Sequence, residues 1–287
     1  MEIQDTELSK IKQIVKSNIG VIASELEIDK EQIILMGFRG SISHGLWMQD
    51  NTDTANSDVD LMIVFCGTID SYLRITKKIR ESQQIKLNID KYEFDIVAYD
   101  IRKMFSLLMN SNPNVMDFLF MERDMYVFMD WEGIGSSFIE SRNMFLSRKI
   151  SETYGAYGSD QLHKMIQSQY ALYMGEKRKL AVDKFGYDTK NASHCIRLLT
   201  MAVEAMKSGT LKVKRNEDKD LYMNIRSGKY SFEEIKEMAN SLRKELEELS
   251  KTEGILPKHI DINMVEYYLV RYIERFSSYL QFKVPTI

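Results

Sequence analysis

Two aspartates two residues apart, Asp58 and Asp60, stand at the head of an alternating run, DVDLMIVF. In an extended strand, side chains at i and i+2 leave the same face, so both carboxylates project together. Like charges that close repel, and a fold tolerates the pairing mainly when a cation sits between them. Oxygen donors with no neighbouring Cys or His select a hard ion, Mg2+ or Mn2+, over zinc. A third carboxylate, Asp95, belongs to KYEFDIVAYD, where Phe94, Ile96 and Ala98 alternate with Glu93, Asp95 and Val97. That strand is expected to pair beside the first, with Asp95 pointing outward in the same alternation. Three convergent aspartates can hold two ions. One lowers the pKa of an attacking hydroxyl; the other neutralises a triphosphate and its leaving group.

Upstream, Gly40-Ser41 follows the apolar run QIILMG and precedes an expected helix start. Glycine lets backbone approach a ligand closely, and the serine hydroxyl with the turn's N–H groups makes an anion site suited to terminal phosphates. Ser57, just ahead of Asp58, is a further candidate for nucleotide binding. His44 has two readings: a phosphate contact, or a side chain that merely satisfies the turn. A phosphate cradle, then Asp-x-Asp, then a distal Asp together supply what nucleotidyl transfer requires.

These residues need a small sheet to position them. QIILMG, DVDLMIVF and KYEFDIVAYD read as its strands, with a helical segment around Ile69 to Ile79 and an amphipathic helix through Leu8, Ile11, Val15, Ile19 and Ile22 ahead of them. From about Trp131 onward the chain reads as almost all helix: Ser159 to Lys179, Lys190 to Ser208 with Gly209 as its C-cap, a charged solvated helix from Ser231, and Asn263 to Leu280. The fold class expected is α+β, a small mixed sheet with flanking helices followed by a mostly helical C-terminal domain. The boundary falls between residues 130 and 131.

The bulk properties agree. The 287 residues, 44% hydrophobic and 28% charged, suffice for two domains. A net charge of −3 excludes a strongly basic nucleic-acid coat but not a local basic groove. No apolar run is long enough for a membrane span, and the charged N-terminus does not resemble a signal peptide; a soluble cytoplasmic protein is expected. Two cysteines, Cys66 and Cys195, make neither a disulfide framework nor a four-thiolate zinc site, and both read as buried thiols.

At these residues the chain resembles the DNA polymerase β-like nucleotidyltransferase superfamily, and more closely the RNA-repair-associated RlaP (YcgL-like) family. The resemblance is carried by GSISHGL, SDVDL, FDIVAYDIRKM and NPNVMDFL, and in the helical half by TYGAYGSDQLHKM, KNASHCIRLLTMAVEAMKSG and IRSGKYSFEEI. It implies that Gly40 and Ser41 hold the nucleotide phosphates, that Asp58 and Asp60 bind metal, and that Asp95 completes the site. The spacer before Ser57-Asp58 departs from the family's pattern by an inserted NTDTAN, which puts the rim of the site in question. The implied activity is Mg2+-dependent transfer of an NMP from an NTP such as ATP to an acceptor hydroxyl, an RNA or tRNA end first. Transfer to a protein hydroxyl, synthesis of a cyclic second messenger, and a non-catalytic nucleotide-binding regulator remain as alternatives.

In the helical half Lys190, His194, Arg197 and Glu204 form one stripe of a helix, opposite Cys195, Leu199, Ala202 and Met206. Two readings stand for Lys190, His194 and Arg197: contacts to a nucleotide or acceptor, or a solvated face that meets its neighbours. Tyr154 and Tyr157 likewise read either as base-stacking groups or as core. The mixed-charge LKVKRNEDKD from Leu211 is expected to solvate.

Overall fold

The computed structural model describes residues 2–47, 58–76, 79–130, 133–167 and 182–283, with backbone alone at 2–5, 58, 166, 167 and 281–283. The fold is α+β. Its sheet has five strands, β1 (Ile33–Phe38), β2 (Asp58–Phe65), β3 (Ser82–Ile89), β4 (Tyr92–Asp100) and β5 (Tyr126–Met129), in the order β3-β4-β2-β1-β5. β2 and β4 run parallel; every other neighbouring pair is antiparallel. Parallel neighbours need a crossover, here supplied by α3 (Ile69–Leu73) and the edge strand β3. β3 returns into β4 through a tight hairpin at Asp90, which adopts φ 53, a left-handed value that Asp tolerates better than most residues.

The alternation anticipated for β4 holds. Tyr92, Phe94, Ile96, Ala98 and Asp100 are buried while Glu93, Asp95, Val97 and Tyr99 are only half-buried. Two expectations are corrected. The helix anticipated from Ile69 to Ile79 ends at Leu73, and Ile75 is exposed. The N-terminal helix is two, α1 (Glu2–Ser17) and α2 (Ile19–Glu25), separated at Asn18. Its side-chain amide donates to the Ile14 carbonyl at 2.8 Å, competing with the helical ladder as Asn commonly does.

The chain separates into two compact units. The first comprises Met1–Met109, Met121–Met144 and Asp261–Ile287; the second comprises Asn110–Phe120 and Phe145–Ile260. A single cut at residue 130 does not describe them, because that position lies within the first unit and the last helix also belongs there. The first unit's core shows why. Phe105 on α4 (Ile101–Met109) stacks on Phe138 of α6 (Ile134–Glu140) at 5.0 Å, and Tyr272 of the final helix meets both edge-on. The Tyr272 hydroxyl is 2.9 Å from Ser141 Oγ. Such aromatic contacts add about 0.5–1.5 kcal/mol each beyond buried area, so residues far apart in sequence join one core.

The second unit is helical. α5 (Pro113–Phe120) and α7 (Lys149–Gln167) are followed by α8 (Thr189–Ser208), α9 (Lys219–Arg226) and α10 (Phe232–Lys251). Helix α8 starts where Asp188 Oδ1 accepts from the Lys190 and Asn191 N–H groups, both at 3.0 Å, and ends at Gly209 with φ 73. Helix α10 starts with a capping box between Ser231 and Glu234. The final helix, α11 (Ile262–Lys283), returns the chain to the first unit. The anticipated helix from Ser159 is seen as the end of α7; its continuation through 168–179 lies outside the described residues.

Candidate active site

The register of β2 against β4 sets Asp60 directly beside Asp95. Both are half-buried, with side chains 35% and 26% exposed, so both carboxylates combine solvent access with proximity. Asp58, the first residue of β2, stands opposite Glu93; only its backbone is described. Ser57 and the inserted NTDTAN lie outside the described residues.

A third strand contributes what the sequence reading missed. Directly after β1, Arg39 donates its backbone N–H to the Asp60 carbonyl at 3.0 Å, and its guanidinium Nη2 lies 3.3 Å from both Asp60 Oδ1 and Asp95 Oδ1. Arg39 thus supplies a cation of the kind that the paired carboxylates call for. Gln84 of the edge strand adds a donor, its Nε2 reaching Asp95 Oδ1 at 2.9 Å. The signal for Arg39 was available: a charged residue between a buried strand and Gly-Ser has no apolar core to join.

Residues 40–45 form a turn against the same carboxylate. Gly40 adopts φ +64, and a methyl group there would fall 2.6 Å from Asp60 Oδ2. Both conformation and space therefore require glycine. The N–H groups of His44, Gly45 and Leu46 bond back to carbonyls of Gly40, Ile42 and Ser41, and Ser43 Oγ donates to the Gly40 carbonyl at 2.9 Å. No hydrogen bond to a described residue engages the N–H groups of Ser41 and Ile42, a backbone arrangement suited to an anion. His44 is buried within the turn. The turn is not continued as a helix through residue 47, contrary to expectation. Gly40→Ala is expected to destabilise the protein by about 1–2 kcal/mol, the cost of a left-handed L residue, with thermal denaturation as the measurement.

The donors fit a hard divalent cation. Asp60 and Asp95 offer carboxylate oxygens side by side, neither fully exposed nor sealed from solvent. Among the described residues no group of three or more His, Cys, Asp or Glu side chains is placed to hold a metal.

A family model described as the RNA repair pathway DNA polymerase beta family, RlaP, matches residues 3–271. The chain belongs to this family. It is thereby a nucleotidyltransferase-like protein of the polymerase β type. Among solved structures it is similar to a nucleotidyltransferase-like protein from Exiguobacterium sibiricum 255-15, at 9% identity over 84% of this chain and 74% of that one, with a TM-score of 0.32. No curated protein matches the chain. Among the described residues no helix is long and apolar enough to cross a membrane.

Within the second unit of this RlaP-family chain, the helical stripe splits by environment. Lys190 is exposed, His194 half-buried, and Arg197 only 6% exposed. The Arg197 guanidinium donates to Asp117 Oδ2 on α5 at 3.0 Å, and Tyr154 of α7 donates to Asp117 Oδ1 at 2.9 Å. Of the two readings, burial and this pairing give Arg197 a structural one. Tyr154 is core; burial and the neighbouring Asp117 hold its phenol well above the ordinary range. Tyr157 is exposed at its edge and accepts from the Asn112 amide at 2.9 Å.

The segment from Leu211 is not simply solvated. Arg215 is 3% exposed, grips Glu204 through both Nη atoms at 2.5 and 2.7 Å, bonds Asp218, and lies over the Tyr222 ring. A buried guanidinium satisfied on several sides fixes its segment. Cys66 and Cys195 are both buried, and burial pushes the Cys195 thiol up to about 12, which leaves it protonated and unreactive.

Proposed function

We propose that this chain transfers a nucleoside monophosphate from an NTP to a hydroxyl at an RNA end, releasing pyrophosphate. The observation that carries the reading is the adjacency of Asp60 and Asp95 in parallel register beside the positive-φ Gly40-Ser41 turn. The RNA acceptor is favoured by the family's RNA-repair description.

In this reading Gly40 and Ser41 hold the β- and γ-phosphates through backbone N–H and hydroxyl groups, and so orient the α-phosphorus for in-line attack. Asp58, Asp60 and Asp95 hold two divalent cations, Mg2+ or Mn2+. Bound there, they supply Lewis-acid stabilisation of the attacking oxygen and of the charge left on pyrophosphate. Asp95 assists removal of the acceptor's proton. The acceptor oxygen forms a bond to the α-phosphorus as the bond to the pyrophosphate oxygen breaks. Lys190 and His194 are proposed to meet the nucleotide or acceptor.

Incubation with each α-labelled NTP and Mg2+ or Mn2+, with and without RNA, tests this. Label on RNA supports the reading. Label on protein or in a small cyclic product overturns the acceptor assignment, and no transfer with any NTP overturns the activity.

Arg39 gives the metal assignment a test that needs no turnover. Its guanidinium occupies the same carboxylate oxygens that a cation would take, so guanidinium and metal compete. Arg39→Met is expected to tighten Mn2+ binding to the nucleotide-free protein about tenfold, ~1.4 kcal/mol, measured by titration calorimetry. Unchanged or weaker Mn2+ binding removes Asp60 and Asp95 as ligands.

A further inference from the structure

The second unit carries a groove of about 900 Å3 between α7 and α10 whose lining is basic. Five Lys or Arg side chains line it against two glutamates, Glu152 and Glu247, and Glu247 is already engaged by Lys251 at 2.6 Å. The chain as a whole carries a net charge of −3, so this is a local concentration of positive charge. Elsewhere on α10 cations are matched, Lys236 with Glu233 and Lys251 with Glu247. Arg243, Lys244 and Lys258, in contrast, form no ion pair with any described residue, although all three face the groove. Clustered cations repel one another, and leaving them unmatched is stabilised by a polyanion that enters.

The rest of the lining narrows the ligand. The α7 wall presents Gly155, where an added Cβ would touch Leu246 Cδ2 at 3.4 Å, so the middle of that wall is backbone rather than side chain. Ser151, Ser159 and Asn240 provide polar groups; among the described residues no Phe, Tyr or Trp lines the groove, and His259 is the one ring side chain there. Base recognition by stacking needs aromatic platforms, whereas phosphate and sugar contacts need cations, hydroxyls and amides. The volume is that of a site for an extended ligand rather than for one phosphate ion.

We propose that this groove binds the phosphodiester backbone of an RNA strand without regard to base, with Arg243, Lys244 and Lys258 as its phosphate contacts. The inference rests on the RNA reading above and adds the surface that holds the strand.

The test is anisotropy of labelled oligo-U and oligo-A RNA with the full chain across a range of salt concentrations. The comparison protein is Arg243→Glu/Lys244→Glu. Both reversed positions are exposed, so the fold is retained, as circular dichroism will show. The expected result is near-equal affinity for the two RNAs and a loss of about tenfold or more on charge reversal. The log–log salt slope should fall by about 1.4, from two phosphate contacts at ~0.7 each. RNA affinity unmoved by charge reversal overturns the groove, as does preference for poly-glutamate over RNA. Groove-dependent RNA binding without transfer of label overturns the catalytic reading and leaves the groove standing.

Discussion

Asp95→Asn is expected to lower nucleotidyl transfer by at least about 10²–10³-fold, the scale on which a single preorganised electrostatic group acts, while leaving the fold intact. The substitution keeps size and shape. An amide oxygen can still accept from Gln84, which now reaches Asp95 Oδ1 at 2.9 Å. Arg39 retains Asp60, 3.3 Å away. What disappears is one negative charge at the point where β4 meets β2, and with it a ligand oxygen and the acceptor for the substrate's proton. Pyrophosphate release under single-turnover conditions measures the effect, and thermal denaturation shows that stability has not changed in step. Transfer within about threefold of wild type would remove Asp95 from the chemistry and leave it a structural partner of Arg39.

The elements that position Asp95 were legible because they are local. A nine-residue run alternating buried and half-buried residues is a period-2 signal that needs no partner to be seen, and β1 shows itself as a continuous apolar run between polar residues. The missing elements are those whose identity depends on distant contacts. Strand β3 buries none of its residues fully, and its alternation is confined to Ile85, Leu87 and Ile89 after the polar Ser82, Gln83 and Gln84, a short and weak period-2 signal. It is a strand because β4 supplies its hydrogen bonds. Strand β5 is four residues at the other edge, too short for periodicity to register. Assignment of α11 to the first unit rests on Tyr272 meeting Phe105 and Phe138, contacts that no window of sequence contains.

The candidate site divides in the same way. Gly40 was readable from residue type, and the structure supplies two reasons for it, a left-handed backbone and a carboxylate oxygen where a methyl would go. The pairing of Asp60 with Asp95 followed from two alternations, but only the parallel register places them level. Arg39 was overlooked because like charges were assumed to need a metal. A guanidinium one residue beyond the neighbouring strand meets the same electrostatic demand. Helical spacing put Arg197 and Lys190 on one stripe, yet spacing does not say how much of a helix its neighbours cover, and α5 with α7 enclose one and leave the other exposed.

That enclosure makes Arg197 the position of largest expected stability loss. Arg197→Met removes the guanidinium that meets Asp117 Oδ2 at 3.0 Å and leaves Asp117, itself 6% exposed, a buried carboxylate to which the Tyr154 hydroxyl still donates. Breaking a buried pair from one side costs about 3–5 kcal/mol, because the remaining charge stays desolvated. For a unit of this size a fall in melting temperature of roughly 10 °C follows. The double substitution Arg197→Met/Asp117→Asn removes the buried carboxylate's charge along with the guanidinium, so it should be less damaging than the sum of the singles, and a double-mutant cycle by chemical denaturation measures that coupling. The opposite pattern, unchanged stability with weakened NTP binding, would return Arg197 to the ligand.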